Sequence, residues 1–125
     1  MIPWFRLLLL VAGLFGAAGV AASAVAAHLA GGASLATAGQ FLMIHAAAIA
    51  ALSAAGLLAT RGAVLLLVGA TAMAAGTLLF SGDLALRALM GIKLLWGTAP
   101  FGGTLMIAGW ISAGIGGALL LPRAR

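Results

Sequence analysis

Residues 63–81 read AVLLLVGATAMAAGTLLFS, nineteen consecutive positions without a charged side chain. An α-helix needs about 20 predominantly apolar residues to cross the hydrocarbon core of a bilayer, so this stretch predicts a transmembrane helix. Three more runs of similar character extend over about residues 4–30, 36–60 and 100–121. The sequence therefore predicts four membrane-spanning helices.

The composition of the whole chain favours a membrane protein and excludes several other classes. Its 125 residues are 66% hydrophobic and 6% charged, whereas a soluble domain carries roughly a quarter charged residues. Asp83 is the one acidic side chain and there is no cysteine, which excludes paired-carboxylate catalysis and cysteine nucleophiles. Haem ligation by His28 and His45 is disfavoured because the two residues lie at different depths. We expect no enzymatic activity, no metal site and no cofactor.

The basic residues stand singly at the ends of apolar runs. They are Arg6, Arg61, Arg87, Lys93, Arg123 and Arg125. Without a basic stripe we expect no nucleic-acid partner, and we expect the lipid bilayer to be the main partner. Four spans place both termini on the same side as Arg6, Arg61 and the C-terminal arginines, against Arg87 and Lys93 on the other. Because basic residues are enriched in cytoplasmic loops, this distribution predicts cytoplasmic termini.

The predicted fold is all-α, with four transmembrane helices in an antiparallel bundle that forms one domain over residues 1–125. The segment Leu84–Trp96 is too short and too charged for a fifth span. Its leucines, punctuated by Arg87 and Lys93, predict a short helix lying at the membrane interface. An irregular loop packed on the bundle is the alternative.

Small residues predict which helix faces pack. Lipid is as apolar as leucine, so transmembrane helices associate by close approach at small side chains. Such residues recur every three or four positions along three helices. The predicted packing residues are Gly13 on the first helix, with Ala17, Ala21, Ala24 and His28 on the same face, Gly69 and Gly76 on the third, and Gly109, Ala113 and Gly117 on the fourth.

A few polar residues within the spans form a candidate polar site. Residues of this kind are expensive in a membrane and are functional candidates for that reason. His28 and Gln40 lie at similar distances from the turn between the first two helices, and Asp83 ends the third span on the same side. We expect these three, with Arg87, to meet at one mouth of the bundle, where Asp83 contacts His28. His45 lies about 7 Å deeper. The alternative is that these groups cap helix ends and bond backbone carbonyls.

The order of several short motifs resembles a known family. They are residues 76–82 (GTLLFSG), Ala88-Leu89, residues 98–104 (TAPFGGT), Gly109-Trp110, the step from Gly19 to Ala27-His28, and residues 45–49 (HAAAI). Together they resemble the domain-of-unknown-function 423 family, also called the transmembrane protein 256 family, over nearly the whole chain. The resemblance implies a small multi-pass membrane protein of bacteria and mitochondria without an established activity. For this chain we expect the bacterial inner membrane.

Two functions remain after these exclusions. The first is a non-enzymatic accessory or structural membrane component, whose partners are other membrane proteins or a second copy of the chain. The alternative is a conduit for a small solute or protons that uses His28, Gln40, His45 and Asp83.

Overall fold

The computed structural model describes residues 1–94 and 97–124, most of which are helical. The helices are α1 (Ile2–Ala26), α2 (Ala33–Leu58), α3 (Ala63–Met90) and α4 (Thr98–Ala118), and two short strands are β1 (Ala59–Arg61) and β2 (Leu121–Pro122). All four helices are long and apolar enough to cross a membrane. The predicted all-α fold with four spans is confirmed.

The end of α3 differs from the prediction, because the helix does not stop at Ser81. The range Leu84–Met90 continues α3, since these residues are mostly good helix formers. The helix ends at Gly91, whose φ of 64° lies in the left-handed region that favours glycine after a helix. Residues 91–94 have no regular secondary structure. The last two positions of the predicted interfacial segment, 95 and 96, lie outside the described residues.

The two short strands replace helix at the predicted ends of the second and fourth spans. β1 and β2 pair antiparallel, with Ala59 opposite Pro122. The backbone N–H of Arg123 donates to the carbonyl oxygen of Leu58 at 2.8 Å. These bonds give partners to backbone groups beyond the helix ends, and they fix the end of α4 beside the α2–α3 connection.

The helices pack mainly in chain order, α1 on α2, α2 on α3 and α3 on α4. Glycines build the α3–α4 contact. A Cβ added to Gly76 would lie 2.6 Å from the carbonyl oxygen of Gly102, and one added to Gly109 would lie 2.9 Å from that of Gly69. The two backbones therefore touch, as expected where small residues hold transmembrane helices together.

The α1–α2 contact combines glycines with one large side chain. A Cβ on Gly19 would lie 2.9 Å from the carbonyl oxygen of Gly39, and a Cβ on Gly56 would overlap the ring of Phe5. Phe5 is 1% exposed and belongs to the main core cluster. The buried members of that cluster are Phe5, Leu8, Ala12, Ile49, Ala70, Met73 and Ala113.

Gly69, Gly76, Gly109 and Ala113 all lie buried in the α3–α4 contact, but Gly117 does not. A Cβ on Gly117 would meet nothing within 4 Å. The buried residues of α4 are Gly102, Met106, Gly109, Ala113 and Gly116. They alternate by four and three positions, the spacing of a left-handed helix pair, so the pattern brings Gly116 rather than Gly117 onto α3.

Gly13 was predicted to pack against another helix, together with the residues on its face, and this prediction is also wrong. A Cβ on Gly13 would meet nothing within 4 Å. We call this face the outer stripe; its members, all exposed, are Gly13, Ala17, Ala21, Ala24 and His28. The buried residues of α1, among them Phe5, Ala12 and Gly19, lie roughly 150° away around the axis at about 100° per residue. Helix α1 thus packs through its other side.

Candidate functional site

Asp83 lies about two turns before the end of α3 and has no exposed surface. Its Oδ2 forms an ion pair with Nη2 of Arg87 at 2.8 Å, and its Oδ1 accepts a hydrogen bond from Nε at 3.2 Å. A buried carboxylate is strongly destabilising unless it is paired. The guanidinium one turn later supplies that pairing on two adjacent nitrogens.

This ion pair continues the face of α3 that packs on α4. We call that face the inner seam; its members are Gly69, Met73, Gly76, Phe80, Asp83 and Arg87, spaced alternately by four and three positions. A Cβ on Gly102 would lie 2.7 Å from the backbone nitrogen of Phe80. Since α4 runs antiparallel to α3, Asp83 lies one turn further along the seam, towards the first turn of α4. The positive end of the α4 dipole stabilises an anion there.

A cavity of about 470 Å³ adjoins the ion pair. It is lined by Arg87, Lys93, Gly97, Ala99 and Pro100. Helix α4 begins at this cavity, after Gly97, without a side-chain cap. Arg87 and Lys93, which the sequence placed on the same side of the membrane, thus line one cavity.

The predicted mouth of His28, Gln40 and Asp83 does not form. Helix α1 ends at Ala26, so His28 lies exposed in the following turn. Its side chain makes no hydrogen bond or ion pair within residues 1–94 and 97–124. The expected contact between Asp83 and His28 is therefore wrong, because α3 presents its carboxylate towards α4 and pairs it with Arg87.

Gln40 is also separate from the ion pair. It is exposed on α2 and lines a surface groove between the end of α1 and the start of α2, with Ala27, Gly32 and Met43 among its neighbours. The prediction rested on the similar depth of His28, Gln40 and Asp83. Similar depth does not bring Gln40 to Asp83, because Gln40 faces the groove beside the end of α1 whereas Asp83 pairs with Arg87 on α3.

His45 is buried deeper in the bundle, in the middle of α2, and is 4% exposed. Its Nδ1 lies 2.8 Å from the carbonyl oxygen of Phe41, and its Nε2 lies 3.1 Å from Nε1 of Trp110. A carbonyl only accepts and an indole N–H only donates. This network assigns His45 as the neutral imidazole with its proton on Nδ1.

Trp110 is the hydrogen-bond partner of His45 and was not among the predicted site residues. It donates its indole N–H from α4 to α2, and its ring meets that of His45 edge-on at 5.9 Å between centroids. A signal was present: tryptophan is enriched at membrane interfaces, whereas Trp110 lies at the middle of α4. A tryptophan at mid-span needs an acceptor for its N–H.

Two hydroxyl groups add further links between helices. Ser81 Oγ donates to the carbonyl oxygen of Ala38 at 3.0 Å, joining α3 to α2. Ser112 Oγ donates to that of Leu65 at 2.8 Å, joining α4 to α3. These two bonds link neighbouring helices through backbone carbonyls, and neither involves a residue of the candidate polar site.

The polar side chains of His45 and Asp83 are used in contacts within the protein. Both nitrogens of His45 and both oxygens of Asp83 contact protein partners. Within the described residues, no three histidine, cysteine or acidic side chains cluster as metal ligands. In the part of the chain that the structure describes, Ser53 Oγ and Thr77 Oγ1 are buried without a hydrogen-bond partner, and Arg87 and Lys93 line the cavity next to the ion pair.

Comparison with known proteins supports the family resemblance. The model of the family described as protein of unknown function (DUF423) matches residues 8–103. The matched range contains all five residues of the candidate polar site and stops before Trp110. No curated protein and no solved structure matches the chain.

Proposed function

We propose that this chain, which belongs to the DUF423 family, is a non-enzymatic accessory or structural component of the bacterial inner membrane. Its four helices make it a multi-pass membrane protein. In the proposed role the bundle docks a transmembrane helix of another membrane protein. The outer stripe of α1 carries the proposal.

The outer stripe has the composition of a helix contact and is exposed, although Ala21 also borders a groove lined by residues of α2 and α3. Gly13, Ala17, Ala21 and Ala24 recur every three or four positions and are all exposed. Residues that merely contact lipid need only be apolar, and bulky leucine serves that purpose. Four small residues on one face allow another backbone to approach closely, which is how helices associate in a bilayer.

The polar residues inside the bundle support a structural role over the conduit. A conduit needs His28, Gln40, His45 and Asp83 to line one path. His28 and Gln40 are exposed at the surface, while His45 is bonded to Phe41 and Trp110. The bonds of His45 hold its neutral imidazole in place, and Asp83 is paired with Arg87.

The docking proposal is tested by cross-linking from the outer stripe. Because the chain contains no cysteine, Ala17→Cys introduces a single reactive thiol on the stripe. We expect a reagent that carries a maleimide and a photoactivated diazirine, attached through this thiol and irradiated in native membranes, to join this variant to one partner of fixed mass. Ala108→Cys, at an exposed position of α4, is the matched control and should give no such product.

A second variant connects the cross-link to the interface. Gly13→Leu combined with Ala17→Leu should release the partner during purification in mild detergent, while the variant keeps the wild-type unfolding temperature. Ala108→Leu should retain the partner. A wild-type chain that purifies as a monomer, together with an Ala17→Cys variant that gives no cross-link, contradicts the accessory role. A product at twice the mass of the chain replaces the foreign partner with a second copy.

We further propose that both termini are cytoplasmic. The basic residues Arg6, Arg61, Arg123 and Arg125 support this orientation, because a four-span sequence assigns them to the side opposite to Arg87 and Lys93. A reporter fused after Arg125 should be active in its cytoplasmic form. Activity only in its periplasmic form would reverse the orientation without affecting the docking proposal.

A further inference from the structure

The cavity beside the Asp83–Arg87 pair has an unbalanced positive charge. Arg87 and Lys93 both line it, and Asp83 is the one acidic side chain of the protein. Asp83 contacts Nε and Nη2 of Arg87. The remaining N–H donors of the guanidinium are available to a ligand in the cavity. Lys93 is exposed and has no carboxylate to balance it. A ligand for this cavity is therefore an anion.

The depth of the cavity indicates where that anion comes from. Helix α4 has 21 residues, which at 1.5 Å per residue is about 31 Å, close to the roughly 30 Å of the hydrocarbon core. Its first turn therefore lies at the boundary between hydrocarbon and headgroups. Ala99 and Pro100 of that turn line the cavity, so Arg87 and Lys93 lie at the level of the lipid phosphates.

We propose that this cavity binds the phosphodiester headgroup of an anionic phospholipid. Arg87 donates to the phosphate oxygens from the side that faces away from Asp83, and Lys93 adds a second charge at the rim. Arginine and phosphate form paired hydrogen bonds of good geometry. Lys93 also repels the choline cation of a zwitterionic headgroup, so the site prefers phosphatidylglycerol to phosphatidylcholine. Asp83 fixes the guanidinium in place and is a positioning residue.

Native mass spectrometry of the purified full chain in a non-ionic detergent tests this site. The probes are phosphatidylglycerol and phosphatidylcholine with the same acyl chains, added to the delipidated protein. We expect the first phosphatidylglycerol to bind at least about fivefold more tightly than phosphatidylcholine, the effect of roughly one basic residue near a membrane surface. Lys93→Gln should lower the affinity for phosphatidylglycerol about fivefold.

Two further variants separate the site from general charge effects. Arg6→Gln removes an exposed positive charge at the opposite end of the bundle and should leave the first binding step unchanged. Asp83→Asn combined with Arg87→Gln removes the ion pair without leaving a charge unpaired and should abolish the preference between the lipids. An equal loss in Arg6→Gln and Lys93→Gln would overturn the proposal, as would equal affinity of the wild type for both lipids.

Inorganic phosphate distinguishes a lipid from a small anion. At millimolar concentration it should leave bound phosphatidylglycerol in place, because the acyl chains of the lipid contribute to its binding. Displacement at similar affinity would overturn the lipid assignment and leave a site for a free phosphate. None of these outcomes depends on whether a protein docks on α1, since the cavity lies between α3 and α4.

Discussion

The inner seam of α3 and the outer stripe of α1 both carry small residues along one face of a transmembrane helix, but only the seam is packed against another helix. The stripe has a small residue every three or four positions from Gly13 to Ala24, whereas the seam alternates its glycines, Gly69 and Gly76, with larger residues. The seam is buried against the backbone of α4, with Gly76 at the carbonyl oxygen of Gly102, whereas the stripe is exposed throughout. The comparison shows that small residues predict a face on which another helix can pack, but they do not predict which helix packs there.

The faces also differ in the polar residues that end them. The seam ends in Asp83 and Arg87, which pair with each other. The stripe ends in His28, which is exposed in a turn. Burial in a membrane makes an unpaired charge far more destabilising than exposure at its surface does, so the seam requires an internal partner and the stripe does not.

The largest expected effect comes from a bulky residue on each face. Gly76→Leu should lower the free energy of unfolding by about 3 kcal/mol, the upper end of overpacking effects, because its Cβ alone would overlap the α4 backbone. Gly109→Leu should act in the same way. The matched control, Gly13→Leu, should change the free energy by less than about 0.5 kcal/mol.

The measurement is unfolding of each purified variant in mixed detergent micelles, followed by circular dichroism. Wild-type stability in Gly76→Leu would show that the seam tolerates separation of the two helices. A destabilised monomeric Gly13→Leu variant would show that the stripe is part of the bundle.

Removing one partner of the ion pair should have the next largest effect. Arg87→Gln leaves the fully buried Asp83 carboxylate without its cation and should cost about 2 kcal/mol. This is below the roughly 3–5 kcal/mol of fully buried pairs, because Arg87 is 39% exposed and water screens part of the interaction.

The double variant Asp83→Asn with Arg87→Gln sharpens this result. It should recover at least half of the lost stability, since no charge is then left unpaired. His28→Gln, which changes the polar end of the outer stripe, should match the wild type. If the double variant is no more stable than Arg87→Gln in the same unfolding assay, the loss comes from packing and not from charge.

The smallest expected effect concerns Trp110, which is 49% exposed and still links two helices. Trp110→Phe keeps an aromatic ring and removes the N–H that His45 accepts, so it should cost about 1 kcal/mol. Trp4→Phe, which removes an exposed bond to Thr71, should cost less. If Trp4→Phe loses more unfolding free energy than Trp110→Phe, then the bond from exposed Trp4 stabilises the bundle more than the bond from Trp110 to His45.

The features that follow from local chemistry were predictable. Apolar length alone gives four spans, because a helix that crosses a bilayer must be apolar over a fixed distance. The family resemblance followed from motif order and is confirmed by the match over residues 8–103. Gly69, Gly76, Gly109 and Ala113 of the α3–α4 contact were predicted because small residues are the main means by which such helices approach. Gly102 and Gly116, which also lie in this contact, were not predicted.

The site was predicted less well, for a geometrical reason. Sequence distance from a turn gives the depth of a residue, and it placed His28, Gln40 and Asp83 at one level. The direction in which each points depends on the rotation of its helix and on the neighbour it packs against. The end of α3 shows a related limit: polarity after Ser81 suggested a stop, but the helix continued until Gly91 changed the backbone conformation.

By itself, the sequence determined the membrane class, the number of spans and the absence of any second carboxylate, since each depends on composition and length along the chain. Only the tertiary structure decided that Asp83 pairs with Arg87, that His45 accepts from Trp110 and that the small face of α1 is exposed. The physical reason is that lipid solvates every apolar face of a helix about equally well. Hydrophobicity therefore drives the helices into the membrane, and the fit between particular surfaces sets how they are rotated and paired.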